Sequence, residues 1–192
     1  MPAHIKNDVV RIVIGGERGS GKSTFSASIY SHLFESGVDV NIHEVDVYSD
    51  TVGCILGRKE WSERRKRKHA WFNPTIKRRI DEFDSDEHEL VLGDLPGKIT
   101  NPFLSKMIAP AHAAVIVSKS AEGITQWEKY FARHGKTVLL RVHSFLFEPL
   151  KVPDGVFPIW ELDRKVVRSQ EITAIAQELR IRVCALRCAS AA

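Results

Sequence analysis

The chain has 192 residues, 43% of them hydrophobic, which suits one compact domain over residues 1–192 with a sizeable core, and no second domain is expected. No stretch reaches the continuous apolar length that spans a bilayer, and Met1-Pro2-Ala3-His4-Ile5-Lys6 lacks the apolar core of a signal peptide, so the expectation is a cytoplasmic protein with no membrane partner. Three cysteines are too few for a disulfide framework, and the net charge of +4 hides a block structure: residues 58–79 carry ten Lys or Arg against Glu60 and Glu63, whereas residues 81–89 carry six acids.

Val9, Val10, Ile12, Val13 and Ile14 predict an apolar first strand that runs into Gly16-Glu17-Arg18-Gly19-Ser20-Gly21-Lys22-Ser23. This octapeptide meets every position of the phosphate-binding pattern Gly, four residues, Gly-Lys-Ser. Glycines at 16, 19 and 21 allow backbone conformations closed to other residues, so successive amides can turn inward around phosphate oxygens. Lys22 is placed for the β- and γ-phosphates and the Ser23 hydroxyl for Mg²⁺. The predicted helix from Thr24 to Phe34, with Phe25, Ile29 and Leu33 on one face, adds the positive end of its dipole. The candidate binding set is therefore Gly16, Glu17, Arg18, Gly19, Ser20, Gly21, Lys22, Ser23 and Thr24. Its bland alternative is a glycine-rich turn between strand and helix.

Ser36-Gly37 stops the helix, and Val38, Val40 and Ile42 alternate with polar residues as a second strand. Asp46 and Asp50 follow near its carboxyl end, the edge where ligands bind in open α/β sheets. Asp46 is a candidate for orienting a nucleophile or a Mg²⁺-bound water, and the alternative is that both acids cap the next segment. From residue 53 to 88 the pattern reads as a helical insertion. Trp61 to Phe72 predicts a very basic helix, and Pro74 to about Phe83 a second one that buries Ile76, Ile80 and Phe83. Three readings compete for the basic segment 58–79: a lid over nucleotide or a phosphorylated small molecule, a nucleic-acid patch with Trp61, Trp71 and Phe72 for stacking, or a solvated surface neutralised by the acidic run.

Glu89-Leu90-Val91-Leu92-Gly93-Asp94 is an apolar strand ending in a carboxylate, the expected Mg²⁺ partner of Ser23 downstream of a complete phosphate loop. Elsewhere such an Asp is an ordinary turn residue. Gly97 completes an Asp-x-x-Gly pattern and offers a backbone N–H towards a γ-phosphate, making residues 95–101 a candidate sensor of that phosphate. A short helix at 101–108, a buried strand at 113–118, a crossover helix at 124–134 and a strand at 137–142 follow. A proline-rich loop over 145–163 holds a short strand at 156–160, and an amphipathic helix runs from Arg164 to about Ala185. The alternation predicts a three-layer α/β fold, a mostly parallel sheet of about five strands with helices on both faces. Cys184 and Cys188, one helical turn apart, are read as buried or half-buried thiols rather than metal ligands, since nothing nearby completes a tetrahedral set.

Positions 9–142 resemble the phosphate-loop (Walker A) NTPase superfamily, on its kinase and GTPase side, where the carboxylate strand lies beside the loop strand. GTPases carry Asn-Lys-x-Asp after the strand placed here at 113–118, whereas this chain has Ser118-Lys119-Ser120-Ala121, so the resemblance implies ATP rather than GTP as the nucleotide. Glu17 also stands where the partitioning ATPases carry an additional lysine. The loop, the Asp-x-x-Gly element and Ser120 to Trp127 further resemble the ATPase-like domain fused to a CRISPR-associated ring nuclease. The resemblance implies a Mg²⁺-dependent ATPase or nucleotide switch; the candidate catalytic residues are Lys22, Asp94 and, from its place at the sheet edge, Asp46, with Ser23 and Asp94 at the metal. The alternatives are a small-molecule kinase with Asp46 as base, or a nucleotide-regulated nucleic-acid-binding protein.

Overall fold

The computed structural model describes residues 9–47, 51–60, 73–145, 152–160, 162 and 165–191. Six strands form one fully parallel sheet in the order β2-β3-β1-β4-β5-β6. The strands are β1 (Val10–Gly15), β2 (Val40–Glu44), β3 (Leu90–Asp94), β4 (Ala113–Ser118), β5 (Thr137–Phe145) and β6 (Phe157–Trp160). The helices are α1 (Lys22–Glu35), α2 (Thr51–Ile55), α3 (Asn73–Asp84), α4 (Leu104–Ile108), α5 (Ala121–Arg133) and α6 (Gln170–Ala191).

Strand composition follows position in the sheet. Every residue of β3 and β4 is buried, as expected of central parallel strands covered on both faces, whereas the edge strand β2 buries alternate residues only. Side chains of β1 divide by parity. Val10, Ile12 and Ile14 face Phe25, Ile29 and Leu33 of α1 and Ile172, Ile175 and Leu179 of α6. Val13 faces the opposite layer, built from Ile76 and Phe83 of α3, Met107 of α4 and Trp127 and Phe131 of α5. The three layers match the sequence expectation.

Several boundaries differ from it, each for a local reason. A sixth strand joins because β5 continues past Val142 to Phe145 and pairs with β6, from Val142↔Phe157 to Phe145↔Trp160. The last helix starts at Gln170 rather than Arg164, because the Ser169 hydroxyl accepts the Ile172 N–H (3.3 Å) and marks the start. It then runs beyond Ala185 to Ala191, with no glycine or proline to stop it. Cys184 and Cys188 are exposed, which corrects the buried or half-buried reading: the buried face of α6 is set by Ile172, Ile175, Ala176, Leu179 and Val183, and the two thiols fall outside that stripe. Cys54 is buried.

The basic helix expected at Trp61 to Phe72, with its stacking aromatics and Arg64, Arg65 and Arg67, lies outside the described residues, as does Asp50. In α3 the neighbouring basic residues meet the acidic run. Lys77 pairs with Asp81 at 2.5 Å and Arg78 with Glu82 at 3.7 Å, both exposed pairs four residues apart, while Arg79 donates to the Glu44 carbonyl at 2.7 Å. Among the described residues no helix is long and apolar enough to cross a membrane.

Candidate functional site

The site forms at the carboxyl edge of the sheet, where β1 and β3 end side by side. Ile14 pairs with Asp94 in register and the Leu95 N–H donates to the Ile14 carbonyl at 3.1 Å, so the carboxylate at the end of β3 sits next to the start of the glycine loop. This follows from the strand order alone.

The loop has the conformation its glycines predict. Gly16, Gly19 and Gly21 have φ of 151°, 79° and 71°, and a Cβ on Gly16 would lie 1.8 Å from the Val117 carbonyl oxygen, so a side chain there is excluded twice over. Gly21 is the N-cap of α1 and supplies no side-chain cap, which leaves the first-turn amides of a 14-residue helix available to an anion. The buried Ser20 hydroxyl has no hydrogen-bond partner among the described residues.

Asp94 is fully buried and collects three groups. The Ser23 hydroxyl donates to its Oδ2 at 2.8 Å, the Ser26 hydroxyl lies 3.2 Å from Oδ1, and the Lys22 Nζ stands 3.5 Å from Oδ1. A buried carboxylate needs such compensation, and the lysine side chain, itself only 9% exposed, provides the opposite charge. Lys22, Ser23 and Asp94 are therefore brought together as expected. A hydroxyl, a carboxylate and a glycine-lined concavity of amides are also the donor set that a hard divalent cation bound to a polyphosphate uses, so the residues fit Mg²⁺ with a nucleotide.

Two further elements close on this centre. A Cβ on Gly97 would lie 2.8 Å from both N and Cα of Arg18, so the Asp-x-x-Gly turn packs directly on the loop backbone. Asn101, at the end of that turn, holds the Phe103 N–H through Oδ1 (2.9 Å), while its buried Nδ2 has no partner among the described residues. The Val45 and Asp46 amides both donate to the Asp94 carbonyl, at 3.0 and 3.2 Å, which sets Asp46 beside the centre through its backbone.

Sequence reasoning missed several contributors. Ser26, one turn beyond Lys22, is on the face of α1 that meets β3. Its position in the sequence Lys-Ser-Thr-Phe-Ser carries the helical spacing but no motif. Glu44 is 8% exposed and accepts the Val52 and Gly53 amides at 2.6 and 3.4 Å, so it caps α2 from the end of β2. Leu162 covers the loop, since a Cβ on Gly21 would lie 2.7 Å from its Cβ. The segment Ser120 to Trp127, noted above without a mechanism, also has one. Ser120 caps α5 by accepting the Gly123 N–H at 3.0 Å, and a Cβ on Gly15 would lie 2.7 Å from Trp127 Cε3 and 2.6 Å from Phe131 Cζ, so α5 is seated against the root of the loop.

Fold and loop together give the architecture of a P-loop NTPase, with the carboxylate strand adjacent to the loop strand. No protein-family model matches the chain. It is 35% identical over 72 residues to the iron-sulfur cluster carrier protein of Pseudomonas fragi, a match that covers 38% of this chain and 24% of that relative, so the chain spans about a quarter of the relative's length. Three solved structures share the fold. They are the septum site-determining protein MinD of Pyrococcus horikoshii with Mg-ADP (TM-score 0.55, 14% identity, 71% of this chain and 70% of that one), a nucleotide-binding protein of Archaeoglobus fulgidus with ADP (0.57, 18%, 90% and 87%), and cobyrinic acid a,c-diamide synthase of Mycobacterium smegmatis with an ATP analogue and magnesium (0.56, 15%, 89% and 92%). These similarities to solved structures, at 14–18% identity, are similarities of fold and do not bear on the domain fused to a ring nuclease.

Proposed function

We propose that the chain binds Mg²⁺ with a nucleoside triphosphate and works as an ATP-dependent switch or ATPase. The observation that carries this is the convergence of Lys22, Ser23 and Asp94 at the mouth of the glycine loop, with Ser23 Oγ 2.8 Å from Asp94 Oδ2. The loop amides and the α1 N-terminus hold the phosphates, Lys22 neutralises the terminal ones, and Ser23 with Asp94 holds the cation. Bound Mg²⁺ would supply charge neutralisation between the phosphate oxygens. The contact of Gly97 with Arg18 supports a role for residues 95–101 in reporting the γ-phosphate. The ligands printed for the three solved structures, Mg-ADP, ADP and an ATP analogue with magnesium, support the same reading and favour adenine. So does Ser118-Lys119-Ser120-Ala121 in place of the guanine-reading Asn-Lys-x-Asp.

A phosphotransferase reading is favoured by one observation, the backbone of Asp46 held at the Asp94 carbonyl, from which its carboxylate would serve as base to an acceptor hydroxyl. The two part on the acceptor: a kinase releases phosphate slowly alone and is accelerated by the right metabolite. Calorimetric titration with Mg-ATP tests the shared core. Lys22→Ala is expected to lose at least a hundredfold in affinity, on the order of 3 kcal/mol for a charge-assisted phosphate contact. Because Lys22 also pairs with buried Asp94, the titration is accompanied by a circular dichroism melt. Wild-type affinity in a folded Lys22→Ala chain would overturn the site.

A further inference from the structure

A phosphate-binding loop has every electrostatic reason to avoid an acid, yet its second residue here is Glu17. The structure removes the conflict by turning that carboxylate away from the cradle. Its Oε1 accepts the Ser118 hydroxyl at 2.8 Å, the Lys119 N–H at 2.9 Å and the Ser120 hydroxyl at 3.2 Å. The donors are the last residue of β4 and the two residues of the turn that leads to α5, and Ser120 is at the same time the cap of α5. A Cβ on Gly123 would lie 2.3 Å from Ser118 Oγ and 3.1 Å from Glu17 Cδ, so only glycine in the first turn of α5 leaves room for the carboxylate. The anion therefore rests at the positive end of a 13-residue helix, neutralised within the chain. The same turn returns a cation to the loop, for a Cβ on Gly19 would lie 3.9 Å from Lys119 Nζ.

We propose that Glu17 is a positioning residue: it fastens the entry half of the phosphate loop to the β4–α5 turn and so presets both the cradle and the Lys119 ammonium before any ligand arrives. The proposal rests on the nucleotide-binding reading above and adds the source of the loop's rigidity. Its side chain serves the neighbouring turn, not the ligand. Preorganisation of this kind raises affinity by removing the ordering cost from the binding step. Its effect is expected on the phosphates, the part of a nucleotide that the proposed site assigns to the loop.

The test compares wild type, Glu17→Ala, Glu17→Gln, the pair Ser118→Ala with Ser120→Ala, and that pair combined with Glu17→Ala. Each is titrated with Mg-ATP and with Mg-tripolyphosphate, and amide exchange at Lys119 and Gly123 is followed without ligand. Glu17→Ala is expected to weaken both ligands by the same factor, about tenfold for the loss of a charged multiple acceptor. Glu17→Gln keeps an acceptor oxygen and recovers most of that loss, and adding the serine substitutions to Glu17→Ala costs little more, as one shared unit requires. Wild-type affinity in folded Glu17→Ala, tighter binding in it, a loss confined to ATP, or losses that simply add would each overturn the proposal. Should Glu17→Ala fail to fold, Glu17→Gln against the serine pair decides by the same criteria. Should wild type bind neither ligand, the nucleotide reading falls by itself, and the clamp is still decided by exchange: faster exchange of the Lys119 amide in Glu17→Ala supports it, unchanged exchange refutes it.

Discussion

Gly97→Ala is the most direct probe of whether residues 95–101 report the γ-phosphate. The backbone of Gly97 is outside the left-handed region, so the substitution acts by bulk alone. The new methyl would stand 2.8 Å from Arg18 N and 2.8 Å from Arg18 Cα, both main-chain atoms that no rotamer change can remove. Ordinary carbon contacts lie at about 3.5–4.0 Å, so the turn and the loop must part by roughly 0.7–1.2 Å or strain. Overpacking of this size costs about 1–3 kcal/mol. Where the cost falls on the closed, triphosphate-bound arrangement it becomes a loss of about 5- to 150-fold in affinity. ADP, lacking the γ-phosphate that would draw the turn inward, is expected to lose far less. Titration of wild type and Gly97→Ala with Mg-ATP and Mg-ADP measures the ratio. Gly37→Ala is the matched control, strained at φ 76° with nothing within 4 Å, remote from the loop. Equal losses for ATP and ADP, or none, would refute the sensor argument.

Two predictions concern the supports of the site. Asp86 joins the α3–β3 connection to the edge strand: burial pushes its carboxyl up, but hydrogen bonds from His43 Nε2 (2.6 Å), the His88 amide and ring, and Asn41 Nδ2 (2.6 Å) outweigh burial and hold it far below the usual carboxylate range. A depressed folded pKa contributes stability that is complete above the unfolded value near 4 and is lost as pH falls through the folded one. Urea midpoints of wild type are therefore expected to fall on acidification from pH 5 to pH 2, and Asp86→Asn to be less stable at pH 7 and flatter across that window. Parallel curves for the two chains would exclude Asp86 as the titrating support. Glu44→Gln removes the charge that caps α2, and a loss of about 1–2 kcal/mol is expected in urea unfolding at pH 7. An unchanged midpoint would mean that the cap contributes nothing.

The parts of the site that the sequence spells out are those whose chemistry is local. A cradle of amides constrains residue type at consecutive positions, so Gly16 to Ser23 are readable in isolation, and an apolar strand ending in Asp94 is readable once the loop is known. Helix-face spacing likewise predicts Phe25, Ile29 and Leu33 of α1 and Ile76, Ile80 and Phe83 of α3, all buried as expected except Ile80, which is half-buried. What no local pattern carries is the pairing of distant polar groups. Ser26 with Asp94 spans 68 residues and Glu17 with Ser118 spans 101, and neither partner advertises the other. The exposure of Cys184 and Cys188 was missed because the spacing of two thiols says nothing about which side of a helix the sheet will take.

Yet the distant pairs follow from one further fact, the strand order. With β3 and β4 flanking β1, Ile14 stands opposite Asp94 and Gly15 opposite Ile116. Two residues on from that second pair are Glu17 and Ser118, which leave adjacent parallel strands in step and meet at their ends. The carboxylate on one side of the loop and the clamp on the other are thus consequences of register, with the glycine loop between them. A chain that kept every loop residue but slipped β1 against β4 by one position would turn alternate side chains to the other face and separate Glu17 from its three donors. The glycine loop is written in eight residues, but its two walls are set by how three strands align.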